Sequence, residues 1–139
     1  MTGTYGAPTV PGAISLYIWD AASGTQQLGA IERLNWPWHI DYAPDGNSML
    51  VLGLSREPVL YDLQTMRERY RLANLGAFQV FFHPSRDRFA ALGGTTGIRI
   101  MATADGRELI SMSRGNCPGY FTPEGRALVT RVKDQQMHL

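Results

Sequence analysis

The side chains here most able to ligate a metal or attack a substrate are three histidines, His39, His83 and His138, and one cysteine, Cys117. The histidines fall at unrelated positions of the internal repeat described below, so they do not make a ring of equivalent ligands. His39 and Asp41 stand two apart and would share one side of a strand, but no third ligand accompanies them. They are expected to be a structural pair, with no metal bound. A serine nucleophile needs a strained Gly-x-Ser-x-Gly elbow, and Gly53-Leu54-Ser55 continues into Arg56-Glu57 instead. The glycine-rich Gly93-Gly94-Thr95-Thr96-Gly97 lacks the Gly-Lys-Ser/Thr that places a lysine on phosphates, and reads as a turn. Lys133 is the single lysine, so covalent amine chemistry has little to work with. One cysteine excludes an intrachain disulfide and two-cysteine zinc or redox motifs; a small core residue is expected at 117. No catalytic residue and no cofactor are expected, and the chain reads as a non-enzyme.

Arg67, Arg69 and Arg71 alternate with Glu68, Tyr70 and Leu72, which in a regular strand sends three guanidinium groups to one side as a solvated or salt-bridged stripe. A net charge of +1 and the lack of any RNA or DNA motif argue against nucleic acid as a partner. The longest strongly apolar run, Met49 to Leu54, is far below the ~18 residues of a membrane span, so no membrane partner is expected. No basic residue precedes Arg33 and no long apolar stretch opens the chain; a cytoplasmic protein without a signal peptide is the expectation.

The elements that would position these residues follow from a repeat. Ile18-Trp19-Asp20 aligns with Leu60-Tyr61-Asp62 and with Ile100-Met101-Ala102, at steps of 42 and 40 residues. Independently, Tyr42-Ala43-Pro44, Phe82-His83-Pro84 and Phe121-Thr122-Pro123 recur at steps of 40 and 39. From each proline to the next apolar landmark, at Leu60, Ile100 and Leu139, the distance is 16 every time. A period of 20 to 50 residues marks a repeat architecture. No segment sustains a 3.6-residue apolar period, so each unit reads as four short strands and the chain as all-β. The column Leu28, Tyr70, Ile110 and the column Ala30, Leu72, Met112, two residues on, should face the core. Tyr42, Phe82 and Phe121 share a further column, and the near-continuous apolar run starting at Met49, Phe89 and Leu128 fits burial on both faces. Asp45-Gly46 and Glu124-Gly125 supply a turn residue that tolerates positive φ after the repeated proline.

Four short strands per unit of about forty residues, with Ile18-Trp19-Asp20, a downstream Ser23-Gly24 and the Tyr42-Ala43-Pro44-Asp45-Gly46 turn, resemble the WD-repeat β-propeller family over about residues 14 to 139. Trp-Asp decays to Tyr61-Asp62 and then Met101-Ala102, which leaves a TolB-like or other bacterial propeller as the alternative. The resemblance implies propeller blades of four antiparallel strands, with about three repeats forming an incomplete ring or half of an oligomeric one. Expected boundaries are the end of a blade at 1–20 and blades at 21–62, 63–102 and 103–139. In a chain assembled with itself, two copies would give six blades, each amino-terminal strand completing its partner's last blade.

Fold analogy then implies a non-catalytic interaction scaffold for a protein or peptide. The longest connection, Glu32-Arg33-Leu34-Asn35-Trp36-Pro37-Trp38, should lie beside an enlarged loop with Tyr5, Pro8 and Pro11. Tyr5, Arg33, Trp36 and Trp38 are the candidate partner-binding residues, because tryptophan, tyrosine and arginine dominate interface hot spots. The competing expectation is a piece of a larger propeller-containing hydrolase or kinase whose catalytic residues lie outside this chain.

Overall fold

The computed structural model describes residues 14–34, 36–93 and 97–131, apart from the side chains at 28–30, 32, 33 and 116. The described residues form strands joined by turns. The strands are β1 (Ile14–Trp19), β2 (Gln26–Leu34), β3 (His39–Tyr42), β4 (Ser48–Leu52), β5 (Val59–Asp62), β6 (Arg67–Arg71), β7 (Ala77–Phe82), β8 (Arg88–Gly93), β9 (Gly97–Ala102), β10 (Glu108–Met112), β11 (Asn116–Phe121) and β12 (Leu128–Arg131). No helix among the described residues is long and apolar enough to cross a membrane.

Two antiparallel sheets have four strands, ordered β3-β4-β5-β6 and β7-β8-β9-β10, and each is flanked by a two-stranded sheet, β1-β2 before and β11-β12 after. This pairing corrects the expected blade boundaries. The strand at Arg67–Arg71 closes the sheet begun at His39 instead of opening the next one, because it pairs with β5 through Val59↔Arg71 and Leu60↔Tyr70. The full sheets therefore span 39–71 and 77–112.

Alternation along each strand divides the apolar residues between two faces, and neighbouring sheets share the cores between those faces. Leu50, Leu52 and Leu60 of the first full sheet meet Val80, Phe82, Phe89 and Met101 of the second. The opposite face of the first sheet, through Met49, Val51, Val59 and Tyr61, packs on Ile31 and Leu34 of β2 and on Leu16 and Ile18 of β1. The far face of the second sheet, through Ala90, Leu92, Ile98 and Ile100, receives Cys117, Phe121 and Leu128. Met49, Phe89 and Leu128 thus do face the cores and Cys117 sits half-buried in one, whereas Ile110, also expected in the core, is exposed.

Polar side chains bolt the innermost strands together. His39 Nε2 donates to the Val80 carbonyl at 2.7 Å, and Asp41 Oδ2 accepts from the Phe82 amide at 2.6 Å. One repeat later Gln79 stands in the His39 position; its Nε2 donates to the Gly119 carbonyl at 3.1 Å while its Oε1 accepts from the Gly119 amide at 3.0 Å. A buried amide that fully satisfies a neighbouring backbone pair fixes the approach of two sheets that apolar contact alone would let slide.

Repeated turns have repeated causes. Asp20 accepts from the Ala22 and Ser23 amides at 2.9 and 2.7 Å, and Asp62 accepts from the Gln64 and Thr65 amides, both at 2.9 Å. These bonds, led by Ser23 and Thr65 respectively, hold both carboxyls below their usual range. A carboxyl lowered in the folded state stabilises the fold above its unfolded value, 3.8, and loses that contribution as pH falls toward the lowered one. Asp41 is raised, foremost by burial, and acts in the opposite sense. The midpoint of thermal unfolding is therefore expected to drop below about pH 4, and the double substitution D20N/D62N should flatten that drop in melts followed from pH 6 to pH 2.

Gly97 opens β9 at φ 74°, a left-handed conformation, and a Cβ there would run into the Met112 carbonyl. Gly93 and Gly97 pair with each other across β8 and β9. Residues 94–96 between them lie outside the described ones.

Candidate functional site

The antiparallel order puts the β2–β3, β4–β5 and β6–β7 connections at one end of the sheets, where backbone bonds tie them together. Trp38 donates its amide to the Leu52 carbonyl at 3.0 Å, Leu72 to Pro58 at 2.9 Å, and Ala77 to Arg56 at 3.0 Å. Trp36 is held at φ 44° with its amide on the Leu34 carbonyl at 3.1 Å. A non-glycine residue at positive φ persists only where its surroundings impose it. Pro37 follows immediately, so the Trp-Pro-Trp segment has little conformational freedom left to lose on binding.

Both indoles are exposed, as are Leu54 on the β4–β5 connection and, more marginally, Phe78 at the start of β7. Arg56, also at positive φ, carries its guanidinium 4.1 Å above the Phe78 ring. The rim thus combines anchored aromatics, an aliphatic and a cation. Nothing in the sequence marks Leu54 or Phe78 as binding residues; only the sheet order brings the β4–β5 turn and the start of β7 beside the Trp-Pro-Trp segment. Of the expected binding residues, Trp36 and Trp38 lie on this rim, whereas Tyr5 and the side chain of Arg33 fall outside the described residues. The segment joins the outermost strand of one sheet to the innermost strand of the next, not two strands within one blade as expected.

Beneath Pro37 lies a cavity of about 140 Å³ whose wall includes Val51, Val59, Tyr61, Glu57 and Arg71. Its charges are already matched, since Arg71 bonds Glu68 at 3.1 Å and approaches Glu57 to 3.8 Å. Arg71 and Glu68 share one side of β6. A bulge at Leu60/Tyr61 sets Arg67 opposite Asp62, on the other side, which breaks the expected one-sided arginine stripe.

Neither Ser55 nor Ser85 stands in a Ser-His-Asp relay. Ser55 belongs to the turn closed by the Arg56 amide on the Gly53 carbonyl, 2.9 Å. Ser85 touches both His83 and Asp87, but the order is wrong for a relay. The serine sits between the other two, and His83 Nε2 is spent on the Gly125 carbonyl at 2.8 Å. His39 and Asp41 each bond the backbone of β7, as a structural pair. No group of three or more metal-ligating side chains occurs among the described residues.

No protein-family model and no curated protein matches the chain. Among solved structures it is similar to a chain of hydrazine synthase from Kuenenia stuttgartiensis, with a TM-score of 0.70 and 17% identity over 88% of this chain. That likeness spans only 37% of the other chain's length. At such identity it speaks for the fold alone: all-β, built of propeller-like four-stranded antiparallel sheets in a ring that is not closed.

Proposed function

We propose that this chain is a non-catalytic, WD-repeat-like propeller module that binds a protein or peptide partner through the rim carrying Trp36, Trp38, Leu54, Arg56 and Phe78. The observation that carries this reading is the exposure of two indoles on a segment pinned by a left-handed residue, a proline and a ladder hydrogen bond. Rigid exposed aromatics beside an arginine are the composition of interface hot spots, and pre-ordering lowers the entropy lost on binding. A suitable partner segment offers an aromatic or aliphatic anchor and a carboxylate for Arg56. A reducing compartment such as the cytoplasm fits the single cysteine.

Selection from a random displayed-peptide library tests this reading. Peptides that bind the wild-type chain should bind W36A and W38A about 10–30-fold more weakly by fluorescence anisotropy, with unchanged melting of the protein. Leu109→Ala, exposed on β10 away from the rim, should bind like wild type. Equal binding by all variants, or no enriched peptide, would sink the proposal. A second reading, a piece of a longer propeller-bearing enzyme, draws on the 37% share of the hydrazine synthase chain and puts any catalytic groups outside these residues.

A further inference from the structure

Among the described residues the row of sheets ends in two halves, and each has the strands that the other lacks. In the full sheets an inner pair of strands, β3-β4 or β7-β8, continues into an outer pair, β5-β6 or β9-β10. β11-β12 is an inner pair, and among the described residues nothing pairs with the outward edge of β12. β1-β2 is an outer pair, recognisable because Ile18↔Leu28 repeats Leu60↔Tyr70 and Ile100↔Ile110, and no described strand pairs with the inward edge of β1.

Exposure follows the same division. Val129 is 63% exposed where the equivalent Ala90 is fully buried, Tyr120 is 64% exposed where Phe81 is 7%, and Trp19 is 59% exposed where Tyr61 is 6%. The surfaces that the missing halves would cover are bare in the same way. Tyr42 and Ile40 on β3 are exposed although their counterparts Phe82 and Val80 are buried, and Ile110 on β10 is exposed. Isolated exposed apolar residues need no explanation, but residues exposed only where the repeat is interrupted do.

We infer that a second copy of this chain supplies the missing halves: β12 of one protomer pairs antiparallel with β1 of its partner, and the reverse, closing a ring of six sheets. The described residues of each protomer contribute two full sheets and two halves, three in all, and six lies within the four to eight blades of closed propellers. The contact is head-to-tail, and making it twice satisfies every interrupted edge by a two-fold rotation. Residue pairing follows from the intact joints. Met49↔Tyr61, Leu50↔Leu60 and Val51↔Val59, repeated at Phe89↔Met101, Ala90↔Ile100 and Ala91↔Arg99, place Leu128, Val129 and Thr130 opposite the partner's Trp19, Ile18 and Tyr17. Val129 and Tyr120 then cover the partner's Ile40 and Tyr42, while the partner's Tyr17 and Trp19 cover Ile110.

Two measurements on the full 139-residue chain test this arrangement. Light scattering after size exclusion should give twice the 15.4 kDa chain mass. With Cys117→Ala as background, single variants Thr130→Cys and Tyr17→Cys mixed under mild oxidation should form a disulfide-linked pair that neither forms alone. Directly opposed positions on neighbouring strands bring Cβ atoms within reach of that bond. Ile18→Cys mixed with Thr130→Cys should stay unlinked, because the two side chains leave opposite faces of the sheet. A folded monomer, a ladder of larger species, or equal cross-linking of both mixtures would overturn the inference.

Discussion

Replacing Phe89 by alanine is expected to destabilise the fold by about 3–5 kcal/mol, the usual cost of emptying a fully buried phenylalanine site. Phe89 is the largest of the side chains wholly removed from solvent. Its ring meets Phe82 edge-on, with centroids 6.2 Å apart, in the core where Leu50, Leu52 and Leu60 of one sheet face Val80 and Met101 of the next. The cavity would open in the joint between two sheets, where closing it means moving a whole sheet, so relaxation can recover little. Phe89→Leu keeps most of the volume and should cost clearly less. Leu109→Ala, on the exposed face of β10, should stay within about 0.5 kcal/mol of wild type. Urea unfolding followed by tryptophan fluorescence checks all three; the midpoint should fall in that order while the slope holds.

Gln79→Ala should cost about 2–4 kcal/mol through a different mechanism, lowering the thermal midpoint by roughly 6–14 °C. The substitution removes two hydrogen bonds, but the larger effect is that the buried Gly119 amide and carbonyl lose their partner together. Gln79→Glu separates this from a loss of packing. At neutral pH its carboxylate accepts from the Gly119 amide and repels the Gly119 carbonyl, whereas the protonated acid can donate to that carbonyl. Its stability deficit relative to wild type should therefore shrink as pH falls through the carboxyl's range, a recovery that a packing defect would not show.

Most strands were legible in the sequence because their punctuation recurs. Pro44, Pro84 and Pro123 each precede a turn into β4, β8 and β12, and Asp20 and Asp62 close turns by the same pair of backbone bonds. The grouping of strands into sheets was not legible. Residues 63–66 and 72–76 are both short connections, and nothing in their lengths says which one is a hairpin and which one crosses to the next sheet. The exposed strand Arg67–Arg71 holds the clue: a charged, bulged strand suits an outer edge, where it discourages further pairing, and not the innermost position. Gln79 shows the same limit from another side. As a polar residue within Ala77–Phe82 it reads as a break in apolar alternation, and only the approach of Gly119 gives it a partner.

The polar bolts between neighbouring sheets also bear on how the chain finds its fold. His39 to Val80, Asp41 to Phe82, Gln79 to Gly119 and His83 to Gly125 join residues 41, 41, 40 and 42 apart, one repeat in each case. Because loop-closure entropy grows only as the logarithm of length, every one of these joints closes at nearly the same modest cost. Either four-stranded sheet can then nucleate and recruit its neighbour, in the manner of a linear array. Substitutions in β11-β12 should consequently speed local opening at that end and leave the refolding rate of the central sheets almost unchanged.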